Sequence, residues 1–409
     1  MIAVFIFIIL LIYSLYNKER GLIYSAVLSP ALLSISIYEI GTVFFCLSIV
    51  FLFLFKDQIK SINLGIMPFG LVIVITIFMY LISGFVAQEK HYYSLFRSLI
   101  EFSVFPLCCW IVFTKNNRFG DFVNILINAS FLIIGYTFIE TILKDNPYVH
   151  LCVAEDCFGG KFIEGVRFGF RRCQAFFSYH ETLGAYCMTN IGFYVCLLYI
   201  ENLDKFLRTK IIWVIGLLTV CVFLTGSRSS ILATVVALLP IFFAKKIYLL
   251  LVPVIFCVVY FAMPEYFSEI LSSMTNTDSV DGSNSEMRNT QLEVSFYYLM
   301  RANNIFFGNG FSFADSNVVG IDSAIAGAES IWFRIIMDQG IMGIICTAYF
   351  FIYSIYRSAK VHWLFLFFPL AYLVARTVAV VPTMTLSYII PYIMFLVLLE
   401  KYNVKLKTK

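Results

Sequence analysis

Charged residues are scarce in this chain. Asp, Glu, Lys and Arg together make up 13% of its 409 residues, about half the share of an ordinary soluble domain. That scarcity excludes a water-solvated globule. Several chemistries are missing as well. No Gly-rich phosphate loop of the Walker type occurs, so nothing points to nucleotide hydrolysis. There is no G-x-S-x-G nucleophile elbow, and no Asp-x-Asp stands at an outer membrane edge to hold a divalent ion. An enzyme built from this sequence is expected to work without nucleotide, cofactor or metal. Internal repeats and low-complexity tracts are also absent, which argues against repeat-built transporters. The first apolar run lacks a basic n-region and an A-x-A-like site, so it reads as a retained helix and not a cleaved signal.

What fills the chain is apolar. Hydrophobic residues account for 61% and mean hydropathy is +0.88. The runs approach the ~20 residues a helix needs to cross a bilayer and do not alternate as barrel strands would. The expected fold is all-α: a polytopic transmembrane helical bundle in a single membrane domain over 1–409. Its expected spans are near 1–16, 22–38, 40–55, 65–84, 95–113, 121–140, 179–200, 211–225, 229–244, 247–263, 330–353, 361–380 and 384–400. Residues 22–55, interrupted by Pro30 and Glu39, also fit one span plus a re-entrant piece, giving twelve or thirteen spans in all.

Charge placement orients the bundle. The linkers with Lys18/Arg20, Lys56/Lys60, Lys115/Arg118, Lys205/Arg208/Lys210, Lys245/Lys246 and Arg357/Lys360, and the tail beyond Lys401, hold more than half of the 29 Lys and Arg. That side is expected to be cytoplasmic, with the C-terminus inside. Two long segments, 141–178 and 264–329, then lie outside. Within the second, 286–301 reads as an amphipathic helix (Leu292, Phe296, Leu299 and Met300 beside Glu286 and Glu293) suited to lying on the membrane. This loop is expected to fold over the bundle. Cys152, Cys157 and Cys173 in the first loop leave room for one disulfide. The spacing of His150, Cys152 and Cys157 fits no usual zinc pattern.

Arginines gather on the outer face: Arg167, Arg171 and Arg172 before one span, Arg228 at the start of another in "FLTGSRSS", and Arg288 and Arg301 in the second loop. A planar guanidinium pairs bidentately with phosphate and keeps its charge, so the set suits a lipid-borne diphosphate, though any one of them fits a phospholipid headgroup too. His180 and Glu181 open the span after "RRCQAFFSY"; His180 is a candidate proton carrier. Glu329 precedes the span beginning "SIWFR", where weak solvation favours base chemistry. Arg334 and Asp338, and Arg97 and Glu101, stand four apart within their spans and read as intramembrane pairs that neutralise each other. Gly340 and Gly343 allow close helix packing. Arg376 has no acidic neighbour along its own helix.

Three stretches share an order and flanks with a known superfamily. "LTGSRSSILA", "SEMRNTQLEVSFYYLMRANNIFFGNGFSFAD" and "AESIWFRIIMDQGIMGII" resemble motifs of the bacterial O-antigen polymerases and O-antigen ligases, over roughly residues 170–355. The resemblance implies a membrane glycosyltransferase in which Arg228 and Arg288, with Arg172, bind the diphosphate of an undecaprenyl-linked oligosaccharide. Arg301 is a further candidate for the same group. Glu329–Ser330 stands where ligases typically carry His-Asn, which favours a polymerase with Glu329 as the base and His180 in reserve. With that activity go a lipid-linked oligosaccharide, the inner-membrane bilayer and a chain-length regulator protein as partners, and no nucleic acid. A ligase, or a lipid-linked oligosaccharide flippase from a different class, are the alternatives.

Overall fold

The computed structural model describes residues 2–37, 40–61, 77–78, 81–87, 92–114, 116, 118–154, 166–167, 170–177, 179–199, 203–244, 268, 285–318, 330–378 and 395. It is an all-α membrane helical protein. Helices among the described residues include, in chain order, α1 (Ile2–Tyr16), α2 (Lys18–Val27), α3 (Ser29–Ser34), α4 (Val43–Leu54), α5 (Lys56–Lys60), α6 (Tyr92–Leu99), α7 (Phe105–Thr114), α8 (Phe119–Leu143), α9 (Pro147–Ala154), α10 (His180–Leu197), α11 (Lys205–Leu224), α12 (Arg228–Ala244), α13 (Ser285–Met300), α14 (Phe313–Asn317), α15 (Ile331–Val361) and α16 (Phe367–Val378). Strand structure among the described residues amounts to two antiparallel two-residue pairs, Ser36–Ile37 with Gly41–Thr42 and Val166–Arg167 with Phe170–Arg171. Helices dominate because a bilayer offers the backbone no water, so each N–H and C=O must find its partner inside the segment. Helices α8, α11 and α15 are long and apolar enough to cross a membrane by length and composition. Outward-facing side chains such as Phe5, Ile12 and Leu15 on α1, and Phe206 and Trp213 on α11, are large and apolar, as a lipid-facing surface requires.

The segment 22–55 does not form two plain spans. Helix α2 stops at Leu28, α3 restarts with Pro30 in its first turn, and the paired residues Ser36–Ile37 and Gly41–Thr42 precede α4. The linkers between α1 and α2, α4 and α5, and α7 and α8 meet at one end. There Arg118 pairs with Glu19 at 2.6 Å and Asp121 at 3.4 Å, Asn116 donates to Glu19 at 2.7 Å, and Lys18 lies 5.2 Å from the Phe55 ring centroid. Three of the basic linkers grouped by sequence therefore share one end of the bundle. Toward the other end, Glu101 is buried and accepts from Arg97 Nε at 3.1 Å and Thr42 Oγ1 at 3.0 Å, on a π-helical turn, Ile100–Val104. The expected Arg97–Glu101 pair is present, and Thr42 completes it.

Helix α10 is buried over nearly all its length. A helix apolar on every side belongs in the middle of a bundle, and α10 packs against α11, α12 and α16.

Helix α15 is not the straight span expected over 330–353. Gly340 has φ +61° and ψ −152°, which breaks the helix. Were the helix straight, Trp332 and Phe351 would stand about 28 Å apart. Their rings are 6.5 Å apart, so the arm 331–339 folds back along the arm 341–361. Gly343 marks where the arms touch: a Cβ there would lie 2.9 Å from Ile335 Cγ2. The backbone groups released at the break are taken up by the loop after α13. Asn309 and Gly310 donate to the carbonyls of Met337 and Asp338 at 2.9 and 3.0 Å. In return Ile341 and Met342 donate to those of Ile305 and Phe306 at 3.2 and 3.0 Å. Asp338, expected to pair along its helix with Arg334, accepts the Ala314 N–H at 2.8 Å and so holds α14. The segment between α13 and α14 is thus built into the bundle through this broken helix.

Candidate functional site

The "TGSR" stretch forms the turn between α11 and α12. Thr225 closes α11 by donating its hydroxyl to the Val222 carbonyl at 2.7 Å and accepting the Ser227 N–H at 3.2 Å. Gly226 takes φ +61°, the left-handed conformation that ends a helix cheaply only when the residue has no Cβ. Helix α12 then begins at Arg228, which is half-buried. Ser227 lies 3.1 Å from both the Ser229 and the Ser230 hydroxyls. On α10, Gly184 lets this corner approach closely, since a Cβ there would stand 2.5 Å from Ser230 Oγ. Arginine at the first residue of a helix opposes the positive end of the helix dipole. Its place therefore is not explained by helix stability; it adds positive charge where the backbone already attracts anions.

Arg172 reaches the same turn from residues 172–177. Its Nε donates to the Thr225 carbonyl at 2.8 Å and one terminal nitrogen to that of Gly226 at 3.2 Å. The next residue, Cys173, donates its N–H to the Leu224 carbonyl at 3.1 Å. Behind this strap stands the C-terminal end of α8. The buried Glu140 carboxylate accepts the N–H groups of Gln174 and Ala175, the latter at 2.8 Å, and Ala175 itself has φ +48°. Asn146 donates to the Ala175 carbonyl at 2.8 Å and accepts from Tyr136 at 2.9 Å. Cys173 is a free, buried thiol 3.2 Å from Thr141 Oγ1, so it takes no part in the disulfide that the first loop's cysteines suggested. Its thiol is pushed up to about 12, chiefly by burial.

His180 and Glu181 open α10 beside Arg172. His180 Nε2 lies 2.5 Å from a Glu181 carboxylate oxygen, and the same oxygen lies 3.5 Å from Arg172. The sequence-predicted residues Arg172, His180 and Arg228 are therefore brought to one corner, together with Glu181. Arg171 points elsewhere: it pairs with Asp145 at 2.6 Å, and His150 approaches the same oxygen at 2.8 Å. These neighbours, His150 first, hold the Asp145 carboxyl below the usual range.

Other expected residues lie apart or outside the description. Arg288 sits in the first turn of α13; its side chain is not among those described. Arg301 follows the last turn of the same helix, exposed and stacked 4.0 Å over Tyr297. Their Cα atoms stand about 20 Å apart along the helix axis. Glu329 lies outside the described residues, as do the side chains of Arg167, Cys152 and Cys157. Ser330 caps α15, its hydroxyl accepting the Trp332 N–H at 3.3 Å. Arg376 is buried with one terminal nitrogen 2.9 Å from the Tyr372 hydroxyl. Sequence reasoning missed Glu140 and Asn146. A signal for the first was present, because a carboxylate inside an apolar run must be paid for by specific partners.

Residues 213–348 match the family model described as O-antigen ligase. That stretch contains Arg228, Arg288, Arg301 and Glu329, whereas Arg172 and His180 precede it. No curated protein matches the chain.

Proposed function

We propose, from the match of residues 213–348 to the O-antigen ligase family model, that the chain is a membrane glycosyltransferase of the O-antigen ligase and polymerase superfamily that polymerises lipid-linked oligosaccharide repeat units. The donor is a growing glycan on undecaprenyl diphosphate and the acceptor a hydroxyl of a second lipid-linked unit. Transfer takes place at the periplasmic face of the inner membrane and yields O-antigen or capsular polysaccharide. The observation that carries the reading is Arg228, half-buried at the first residue of the 17-residue helix α12. There a guanidinium and a helix N-terminus add their fields toward an anion.

In the reaction the bond between sugar C1 and the phosphate oxygen breaks, and its electron pair leaves with the diphosphate. A bond forms between C1 and the acceptor oxygen, whose proton passes to a base. Arg228, with Arg288 from the outer loop, offsets the charge arriving on the diphosphate. Glu329 is the base, and His180 stands in reserve. Arg301 serves lipid headgroups beside the exposed row Leu292, Phe296 and Met300 on α13, which rests on the outer leaflet. Glu329→Gln is expected to slow transfer about 10²-fold with little change in donor KM. Unchanged turnover in membranes holding equal amounts of protein would return the proton to His180.

The test of the whole reading is a gel of surface glycolipid from cells lacking the gene, with and without its restoration. A ladder reduced to one repeat on the lipid core identifies a polymerase. Loss of every repeat, that single one included, points to a ligase or a flippase.

A further inference from the structure

We infer that Arg172 is a positioning residue that fixes Arg228, and not itself a ligand of the diphosphate; the inference rests on the reading of Arg228 proposed above. Three successive carbonyls at the end of α11 are taken by two neighbouring residues. Leu224 receives the Cys173 N–H, Thr225 receives Arg172 Nε–H, and Gly226 receives an Arg172 terminal N–H. These are among the acceptors a helix leaves without internal donors at its C-terminus, and a guanidinium there also meets the negative end of the helix dipole. One edge of the fork is thereby committed to the backbone.

The charge of Arg172 is committed as well. Glu181 stands 3.5 Å from the same terminal nitrogen that binds Gly226, so the guanidinium is neutralised locally and adds little to the attraction of an incoming anion. Arg172 is also mostly buried, its side chain 13% exposed. From behind, Glu140 and Asn146 clamp the main chain at Gln174 and Ala175. The strap is thus braced against α8 on one side and grips the turn 224–226 on the other. Arg228 is two residues beyond that turn, which pivots on the left-handed Gly226. Whatever loosens the grip moves the start of α12 and the guanidinium it carries. Misplacement of a binding group by about 1 Å is enough to cost on the order of 10²-fold in rate.

The experiment uses the full chain in lipid nanodiscs, normalised to monodisperse protein. Its donor is the lipid-linked oligosaccharide extracted from cells that lack the protein. Amide hydrogen exchange over 225–231 and the kinetics of transfer are measured for Arg172→Ala, Arg172→Lys, Gly226→Ala, Arg228→Ala and Arg228→Lys, and for Arg172→Ala combined with Arg228→Lys. The expected result is faster exchange at the start of α12 in Arg172→Ala and Gly226→Ala, with kcat/KM lowered by about 10²-fold. Arg172→Lys, which still donates to the carbonyls, recovers part of both. In the Arg228→Lys background, Arg172→Ala adds less than about threefold, because its route to the donor runs through Arg228. Unchanged exchange at 225–231 would overturn the inference. So would a full, multiplicative loss in the double variant, which would make Arg172 a diphosphate ligand in its own right. Normal transfer by Arg228→Lys and by Arg228→Ala would instead overturn the assignment of Arg228, while the exchange data would still decide whether Arg172 holds the turn.

Discussion

Arg228→Ala is expected to insert and fold like the unaltered protein and to extend no chains. Loss of one preorganised donor at a site of developing charge costs about 3–4 kcal/mol, or 10²–10³-fold in rate. On the polymerase reading proposed above, the loss recurs at each added repeat and removes the long ladder. Two local helix terms favour the substitution. Alanine is the better helix former, and it lifts a positive charge from the positive end of the α12 dipole. The turn before α12 is held by Thr225 and by contacts among the Ser227, Ser229 and Ser230 hydroxyls, and these bonds do not involve the Arg228 side chain. Arg228→Lys should fall between, since an ammonium keeps the charge but not the planar fork that meets two phosphate oxygens at once. Glycolipid gels read against the amount of protein in the membrane decide the matter. A normal ladder from a well-expressed alanine variant would remove Arg228 from the site.

Gly340→Ala should prevent the protein from folding. The backbone there, φ +61° and ψ −152°, lies in a region that residues with a Cβ essentially do not occupy, which alone costs about 1–3 kcal/mol. A methyl group would also collide with the Ile305 carbonyl oxygen and stand 2.6 Å from Gly308 N. Neither is a flexible side-chain end that could swing away. The collision would undo the backbone hydrogen bonds by which residues 305–310 occupy the break in α15, each worth ~0.5–1.5 kcal/mol net. Gly308 is held as tightly, 2.7 Å from Gly340 N for an added Cβ and at φ +71°, so Gly308→Ala should behave alike. Gly343→Ala should also destabilise the protein, because an added Cβ would collide with Gln339 Cβ, an atom fixed to its own backbone. The measurement is the monodisperse fraction after detergent extraction and its thermal unfolding. A yield and Tm for Gly340→Ala equal to those of the unaltered chain would mean that the helix does not break there.

Much of this could be read from the residues in order. Apolar runs near the length of a bilayer crossing force helices, because an unsatisfied backbone group in hydrocarbon is too costly to keep. Thr225–Gly226–Ser227 marks the end of one helix and the start of the next by local chemistry, and the four-residue spacing of Arg97 and Glu101 gives their pair directly. Those features depend on neighbours along the chain. The strap was less legible. Arg172 reads as one of several outer arginines, and only the contact of residues 172–173 with carbonyls 224–226, some fifty positions away, distinguishes it from Arg171, which turns to Asp145. Glu140 was passed over because a lone carboxylate carries no local pattern; its meaning lies in the backbone N–H groups of Gln174 and Ala175.

Sequence by itself therefore determined the solvent of this protein, its helical class and the turn that presents Arg228, since each follows from composition or from contacts within a few residues. The fold-back of α15 was decided only in three dimensions. A hydropathy profile cannot distinguish one span from two arms around Gly340, because both bury the same apolar residues. The difference comes from residues 305–310, which supply the hydrogen bonds that a helix broken at Gly340 would otherwise lack.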